Sequence, residues 1–346
     1  MADIQMRFHK DMLVVSAPLD ATLAAQGVAV EYDRPYLNLV EQDSLEDALR
    51  LESIAGAQCL VTATEDITPA RLAHGRMEAD GDRIAAAALE AVRTVNPQHI
   101  LAAIGPCGLP LDGSSKASLN ENRSQYASAA RAFDNLGFDA FLLDGFTSID
   151  DLKCALMGVA QVSDKPVFAS VLLGSPDGLA PAKPGPAPSA KESAFSVQDI
   201  NSGLPPDGYT VLDNPVDPLA YLDRHSPLEP ERWPEAVAVM ADLGAAVVGF
   251  ETADPLPKAL DYAKAAAQAV PLPLMASLRV VKDPLGASAL GLTPLEDLQE
   301  YTPDTLVLAG QRLRDAGVQF LRATGEATAA CTGALAASVS GEDAKR

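Results

Sequence analysis

Short apolar runs alternate with longer amphipathic ones from the start of the chain to about residue 173, the pattern of parallel strands each followed by a covering helix. The runs at 12–15, 58–62, 99–104, 140–143 and 167–171 are compact enough to be strands buried on both faces. Between the first two, SLEDALRLESIAGA predicts a helix with its N-cap at Ser44, Glu46 and Asp47 in its first turn and Gly56 at its end. The same order of helix, glycine and strand returns in RSQYASAARAFDNLGFDAFLLD and in WPEAVAVMADLGAAVVGFET. Three copies of one unit favour a closed ring over an open sheet. Further runs at 245–249, 274–277 and 320–323 bring the strands to eight. The predicted architecture is therefore a single α/β domain, a (β/α)₈ TIM barrel over residues 1–340, with a short charged tail at 341–346.

Residues 174–231 break this pattern, being rich in Pro, Gly, Ser and Asp with PAKPGPAPSAKES near the centre. So few apolar side chains cannot offset the entropy of ordering a long loop, which predicts either a lid or a partly disordered insertion. Its place after the fifth strand puts it over the C-terminal face, where barrels carry their chemistry.

Composition narrows the choice of partners. With 26 Lys and Arg against 47 Asp and Glu, the formal charge of −21 opposes attraction to phosphate backbones and anionic lipid, so neither nucleic acid nor membrane is an expected partner. The N-terminus MADIQMRFHKDM lacks the apolar core of an export signal and no apolar run reaches membrane-spanning length, which predicts a cytoplasmic protein. Cys59, Cys107, Cys154 and Cys331 are far apart with no CxxC pair, so neither a disulfide framework nor a local metal motif is written here. Of the four, Cys107, in the turn after the third strand, is the only one placed to face a pocket, and one thiol cannot make a zinc site. Cys331 is expected within the last helix. The isolated His74 reads as a helix C-terminal residue rather than a base.

Three segments carry a family resemblance: GPCGLPLDG at 105–113, RSQYASAARAFDNLGFDAFLLDGFTSIDDLKCAL, and KPVFASV at 165–171. Their order and spacing resemble the homocysteine S-methyltransferase family, in which a GP-aromatic-G turn, a GxDxxxxET-like strand and a PVxxS strand follow one another. NLVEQDSLEDALRLESIAGAQCLVTATEDITPARLAHG and YTPDTLVLAGQRLRDAGVQFLRATGEAT extend the resemblance over nearly the whole chain except the insertion.

The resemblance implies a barrel methyltransferase in which three cysteine thiolates at the C-terminal mouth hold zinc and the substrate sulfur takes the fourth position. Zinc matters to that chemistry because a thiol with a pKa of about 8.5 is only a few per cent thiolate at neutral pH. Here the matching positions hold Thr252, Thr324 and Gly325, and Cys331 is too far along to substitute by a shift of register. The family zinc is therefore expected to be absent, and no other cofactor is implied. A corrinoid or folate methyl donor would come only through a partner, such as a corrinoid protein. By the same alignment, Ser16 and Ala17 stand where the family has Asp and Gly, Ser170 matches a family Ser, and Asp144 takes the place of the Glu that holds the substrate amino group.

Four strand ends carry acids: Glu65, Asp144, Glu251 and Glu326. Two such charges about 8 Å apart repel by roughly 2 kcal/mol at an effective dielectric of 20, so a converging set favours a bound cation or a shared proton. The alternative is that these side chains point into solvent at loop starts. Three functions follow: a divergent methyltransferase acting on an unidentified small molecule without the family zinc, a non-catalytic paralogue that binds a cation or a partner, or a barrel enzyme with a carboxylate-bound divalent metal; a cationic ligand would suit the converging acids. The substrate-binding candidates are Asp144, Glu251, Glu326, Glu65, Ser170 and Ser16.

Overall fold

The computed structural model describes residues 3–28, 34–174, 226–280, 301–339 and 344. In chain order the elements are β1 (Leu13–Val15), α1 (Asp20–Ala25), α2 (Arg34–Val40), α3 (Gln42–Ala55), β2 (Cys59–Val61), α4 (Pro69–His74), α5 (Gly81–Thr94) and β3 (His99–Ile104). They continue with α6 (Lys116–Arg131), β4 (Ala140–Phe146), α7 (Ile149–Ala160), β5 (Val167–Leu173), α8 (Trp233–Asp242) and β6 (Val247–Thr252). The last are α9 (Leu256–Ala269), β7 (Leu274–Val280), α10 (Pro303–Asp315), β8 (Val318–Gly325) and α11 (Ala329–Val339). Eight parallel strands close in sequence order, with β8 returning to β1 through the pairs Leu13 with Phe320 and Val15 with Arg322. The chain is a (β/α)₈ barrel.

Strand side chains divide by parity into two cores. Leu13, Val15, Leu101, Leu142, Phe168 and Phe320 fill the interior of the ring, whereas the alternate residues pack outward against the helices. A turn of 3-10 helix at Ile4–Arg7 closes the N-terminal end. Ile4 is fully buried there, and the Phe8 ring meets Phe168 and Phe320 edge-on at 6.1 and 5.9 Å. The opposite, C-terminal end is left as the mouth.

One buried carboxylate fixes the first turn of that mouth. Glu52 of α3 accepts the Ala17 N–H at 2.9 Å and the Thr332 hydroxyl of α11 at 2.6 Å, joining the β1–α1 turn to both flanking helices. The helix ends at Gly56, whose φ of +109° is left-handed and whose missing side chain admits Ala336 of α11.

The observed elements differ from the sequence reading in two ways. Helix α3 begins at Gln42, two residues before Ser44, because α2 runs almost directly into it and leaves only Glu41 between. Strands β4 to β8 continue two or three residues further toward the mouth than their apolar runs. Glu251, Arg279 and Thr324 keep strand pairing there, while Asp144 sits where the β4–β5 register shifts between Leu143 and Phe146. Leu228 returns to pair with Leu173 beside the mouth. The expectation of a lid or disordered insertion falls mainly on 175–225, and that of a tail on 341–346; apart from residue 344, these segments lie outside the described residues. No described helix is long and apolar enough to cross a membrane.

Candidate functional site

The strand parity that buries Leu142, Phe168, Met275 and Phe320 inside the ring turns the residues two places further on inward too. Asp144, Ser170, Ser277 and Arg322 therefore form the floor of the mouth, with Glu251, Arg279 and Thr324 around it.

Arg322 organises this floor. It is only 2% exposed; Nε donates to the Ser16 carbonyl at 2.9 Å and Nη1 donates to Asp144 Oδ2, so β8 is joined to β1 and, across the barrel, to β4. Beside it, Glu251 is 6% exposed and its Oε1 accepts from Thr324 Oγ1 at 2.9 Å and from Arg279 Nη1 at 3.2 Å. Burial pushes the Glu251 carboxyl above its usual range, the nearby Asp144 charge adds to this, and Arg279 opposes it. Three buried oxygens in this layer have no hydrogen-bond partner among the described residues: Asp144 Oδ1, Ser170 Oγ and Ser277 Oγ. Unmet polar atoms in an interior are costly, and these three sit on β4, β5 and β7 toward the C-terminal end of the barrel.

The six candidates from the sequence thus separate. Asp144, Glu251 and Ser170 share the floor. Glu65 lies to one side, after β2, in a cleft with Asp20, Arg34 and Arg322. There burial, aided by Asp20 and opposed by Arg34 and Arg322, raises its carboxyl to about 7. Ser16 is fully buried and accepts the Val61 N–H at 3.0 Å, so its hydroxyl joins β1 to β2 and does not open on the mouth. Glu326 is exposed on the rim and is fixed through its backbone N–H to the Val280 carbonyl at 2.9 Å. The acids do not meet as an unbalanced cluster, because Arg34, Arg279 and Arg322 stand among them. Among the described residues, no three His, Cys, Asp or Glu side chains are placed to share a metal ion.

Cys107, the one cysteine placed at the mouth by the sequence, is taken up by the structure around it. Its thiol is buried and directed at Asn122 Oδ1 of α6, 3.0 Å away, and its N–H donates to the Tyr126 hydroxyl, which in turn donates to Asp151. It pins the β3 turn to α6 and α7. Cys331 is buried within α11 and His74 is the last residue of α4, both as read from the sequence.

A family model described as homocysteine S-methyltransferase matches residues 33–185. Over this segment the chain is similar to the homocysteine S-methyltransferase family. The segment runs from α2 past the end of β5, so the strands that carry positions 252, 324 and 325 lie beyond the match. In overall fold, the chain is similar to the metallated and oxidised forms of the homocysteine methyltransferase MmuM from Escherichia coli, each with a TM-score of 0.63, at 14% and 16% identity, covering 94% of this chain and 96% of that one. The carboxyl transferase domain of Rhizobium etli pyruvate carboxylase is a more distant likeness, with a TM-score of 0.50 at 14% identity, covering 97% of this chain and 44% of that one. No curated protein matches the chain.

The residues that the sequence reading set against the family's ligand positions offer no thiolate for a zinc ion. The Thr252 hydroxyl accepts the Asp254 N–H at 3.0 Å and the Thr324 hydroxyl is given to Glu251, so both are engaged, neutral oxygens. Gly325 has no side chain, its φ is +68°, and a Cβ there would meet the Val280 carbonyl oxygen at 2.5 Å.

Sequence reasoning missed Arg279 and Arg322, which set the charge of the mouth. The signal was present: Met275, Ser277 and Arg279, like Phe320, Arg322 and Thr324, alternate along strands whose first members are interior. Tracking acids and ligand positions alone passed over the basic residues between them.

Proposed function

We propose that the chain is a methyl-transferring relative of the homocysteine S-methyltransferases that acts on a small molecule carrying an amine or onium group, without a zinc-thiolate site. The observation that carries this reading is the set of three unpartnered oxygens, Asp144 Oδ1, Ser170 Oγ and Ser277 Oγ, on one buried layer. A carboxylate offers only acceptors and a serine hydroxyl can accept as well as donate, so together they suit a positively charged, N–H-bearing or methylated nitrogen. Arg322 donates to the other oxygen of Asp144 and so holds the carboxylate in place. A methyl group already on an onium centre needs no Lewis acid to make it electrophilic. The neutral heteroatom leaves as the new bond forms, and the barrel's part is to align the two partners and exclude water.

The test is calorimetric titration of the purified chain with dimethylamine, trimethylamine, glycine betaine and S-methylmethionine, with mass-spectrometric detection of deuterated methyl transfer from the last two. Binding of at least one of the four, weakened about tenfold or more in Asp144→Asn, and label transfer to an added amine or thiol acceptor are expected. No binding by any of the four, or binding indifferent to Asp144→Asn, contradicts the placement of the substrate. Binding without transfer would instead favour a non-catalytic paralogue.

A further inference from the structure

A cleft of about 420 Å³, including its opening, lies between the β1–α1 turn, α2 and the end of β2, with Arg322 as its inner end. One wall is apolar, from Leu19, Leu23, Leu37 and Leu45; the other presents Arg34, Glu65 and Arg322.

The hydrogen-bonding capacity left on the polar wall is mainly that of donors. Arg322 spends Nε on Ser16 and Nη1 on Asp144, which leaves Nη2. Arg34 spends Nη2 on Asp20 Oδ2 at 2.5 Å, and its buried Nε has no partner among the described residues. Asp20 is thereby committed to Arg34, and Asp66 lies 3.7 Å from Arg71. Glu65 holds its proton to about pH 7, so in mildly acid solution it too can donate. Two guanidinium groups with idle N–H bonds at one end of a leucine-lined cleft match a planar oxyanion with four lone-pair directions.

We propose that this cleft binds a small monocarboxylate with a short apolar body, its head between Arg34 and Arg322 and its tail against Leu19, Leu23, Leu37 and Leu45. The site does not depend on methyl transfer: a barrel without catalysis could fill it, and loss of either site leaves the other standing. Because Glu65 borders the head, its ionisation sets a second negative charge beside the ligand. The other charges facing it are Arg34 and Arg322, which favour the anion, and Asp20, which does not; Asp66 and Glu326 act on Asp20 from further out. Affinity for a carboxylate should therefore fall as pH rises through about 7.

Titration calorimetry of the full chain with butyrate, butyramide and butylamine, at about pH 6 and about pH 8.5, tests this directly. Butyrate should bind about tenfold or more tightly than the other two at the lower pH, and about tenfold less tightly at the higher pH. Glu65→Gln keeps a donor and removes the titration, so its butyrate affinity should change by less than about threefold between the two pH values. Arg34→Gln, on a side chain 38% exposed and therefore tolerant of change, should weaken butyrate about tenfold. Butylamine binding as well as butyrate, no butyrate binding at either pH, an unchanged pH loss in Glu65→Gln, or an indifferent Arg34→Gln would each overturn the proposal.

Discussion

Arg322 of β8 and Asp144 of β4 are joined by a hydrogen bond across the interior of the barrel, although 178 positions separate them in the chain. A guanidinium taken almost wholly out of water costs a great deal unless it is paired, and this one meets a carboxylate on one nitrogen and a backbone carbonyl on another. The pair ties β8 to β4, and Arg322 also lines the cleft beside the β1–α1 turn.

Arg322→Met should destabilise the protein by about 3 to 5 kcal/mol in urea unfolding, since it leaves the mostly buried Asp144 charge unmatched. The double variant Arg322→Met, Asp144→Leu should recover a large part of that loss. A single variant within about 1 kcal/mol of the parent would show that the pair does not organise the interior.

Glu65→Gln should stabilise the protein in alkaline solution only. The folded carboxyl is raised to about 7, above its ordinary value of 4.5, so the folded state holds a proton that the unfolded chain releases. Stability from this group is thus lost as pH rises from about 4.5 to about 7, and the full cost persists above it. Removing the ionisable group should add roughly 1 to 3 kcal/mol at about pH 8 and almost nothing at about pH 4. Thermal unfolding of both forms across that range reads the difference; parallel curves would mean that burial does not hold the proton on Glu65.

Much of the barrel was legible because strands covered on both faces are apolar, and β3 matches its predicted span, 99–104, at both ends. The mouth was less legible for the same physical reason. A reading that follows apolar runs stops at the first polar residue, whereas β6 carries its pairing on to Thr252 and β8 to Gly325. Asp144 and Glu251 were found as carboxylates at strand ends. Their arginine partners come from other strands, β7 and β8, and such long-range pairing is invisible until the ring closes. Ser16 followed the family alignment to a site position, but its hydroxyl is used between β1 and β2.

Thiols placed at 324 and 325 test whether the mouth can admit a zinc site. Thr324→Cys should fold, since it replaces one side chain by another of similar size and loses mainly the hydrogen bond to Glu251. Gly325→Cys should cost at least about 2 kcal/mol, because the left-handed backbone and the Val280 carbonyl both oppose a Cβ. Denaturation midpoints of the two single variants decide this. Equal stability would mean that β7 and β8 can part to admit a third sulfur, reopening the family arrangement.

The most direct test of the central claim, that this mouth works without thiolate-held zinc, is methionine formation from homocysteine by the purified chain supplied with zinc and with either S-methylmethionine or betaine. The account predicts no methionine above the uncatalysed background with either donor. Robust zinc-dependent turnover would contradict it, and would mean that ligands other than residues 252, 324 and 325 complete the metal site.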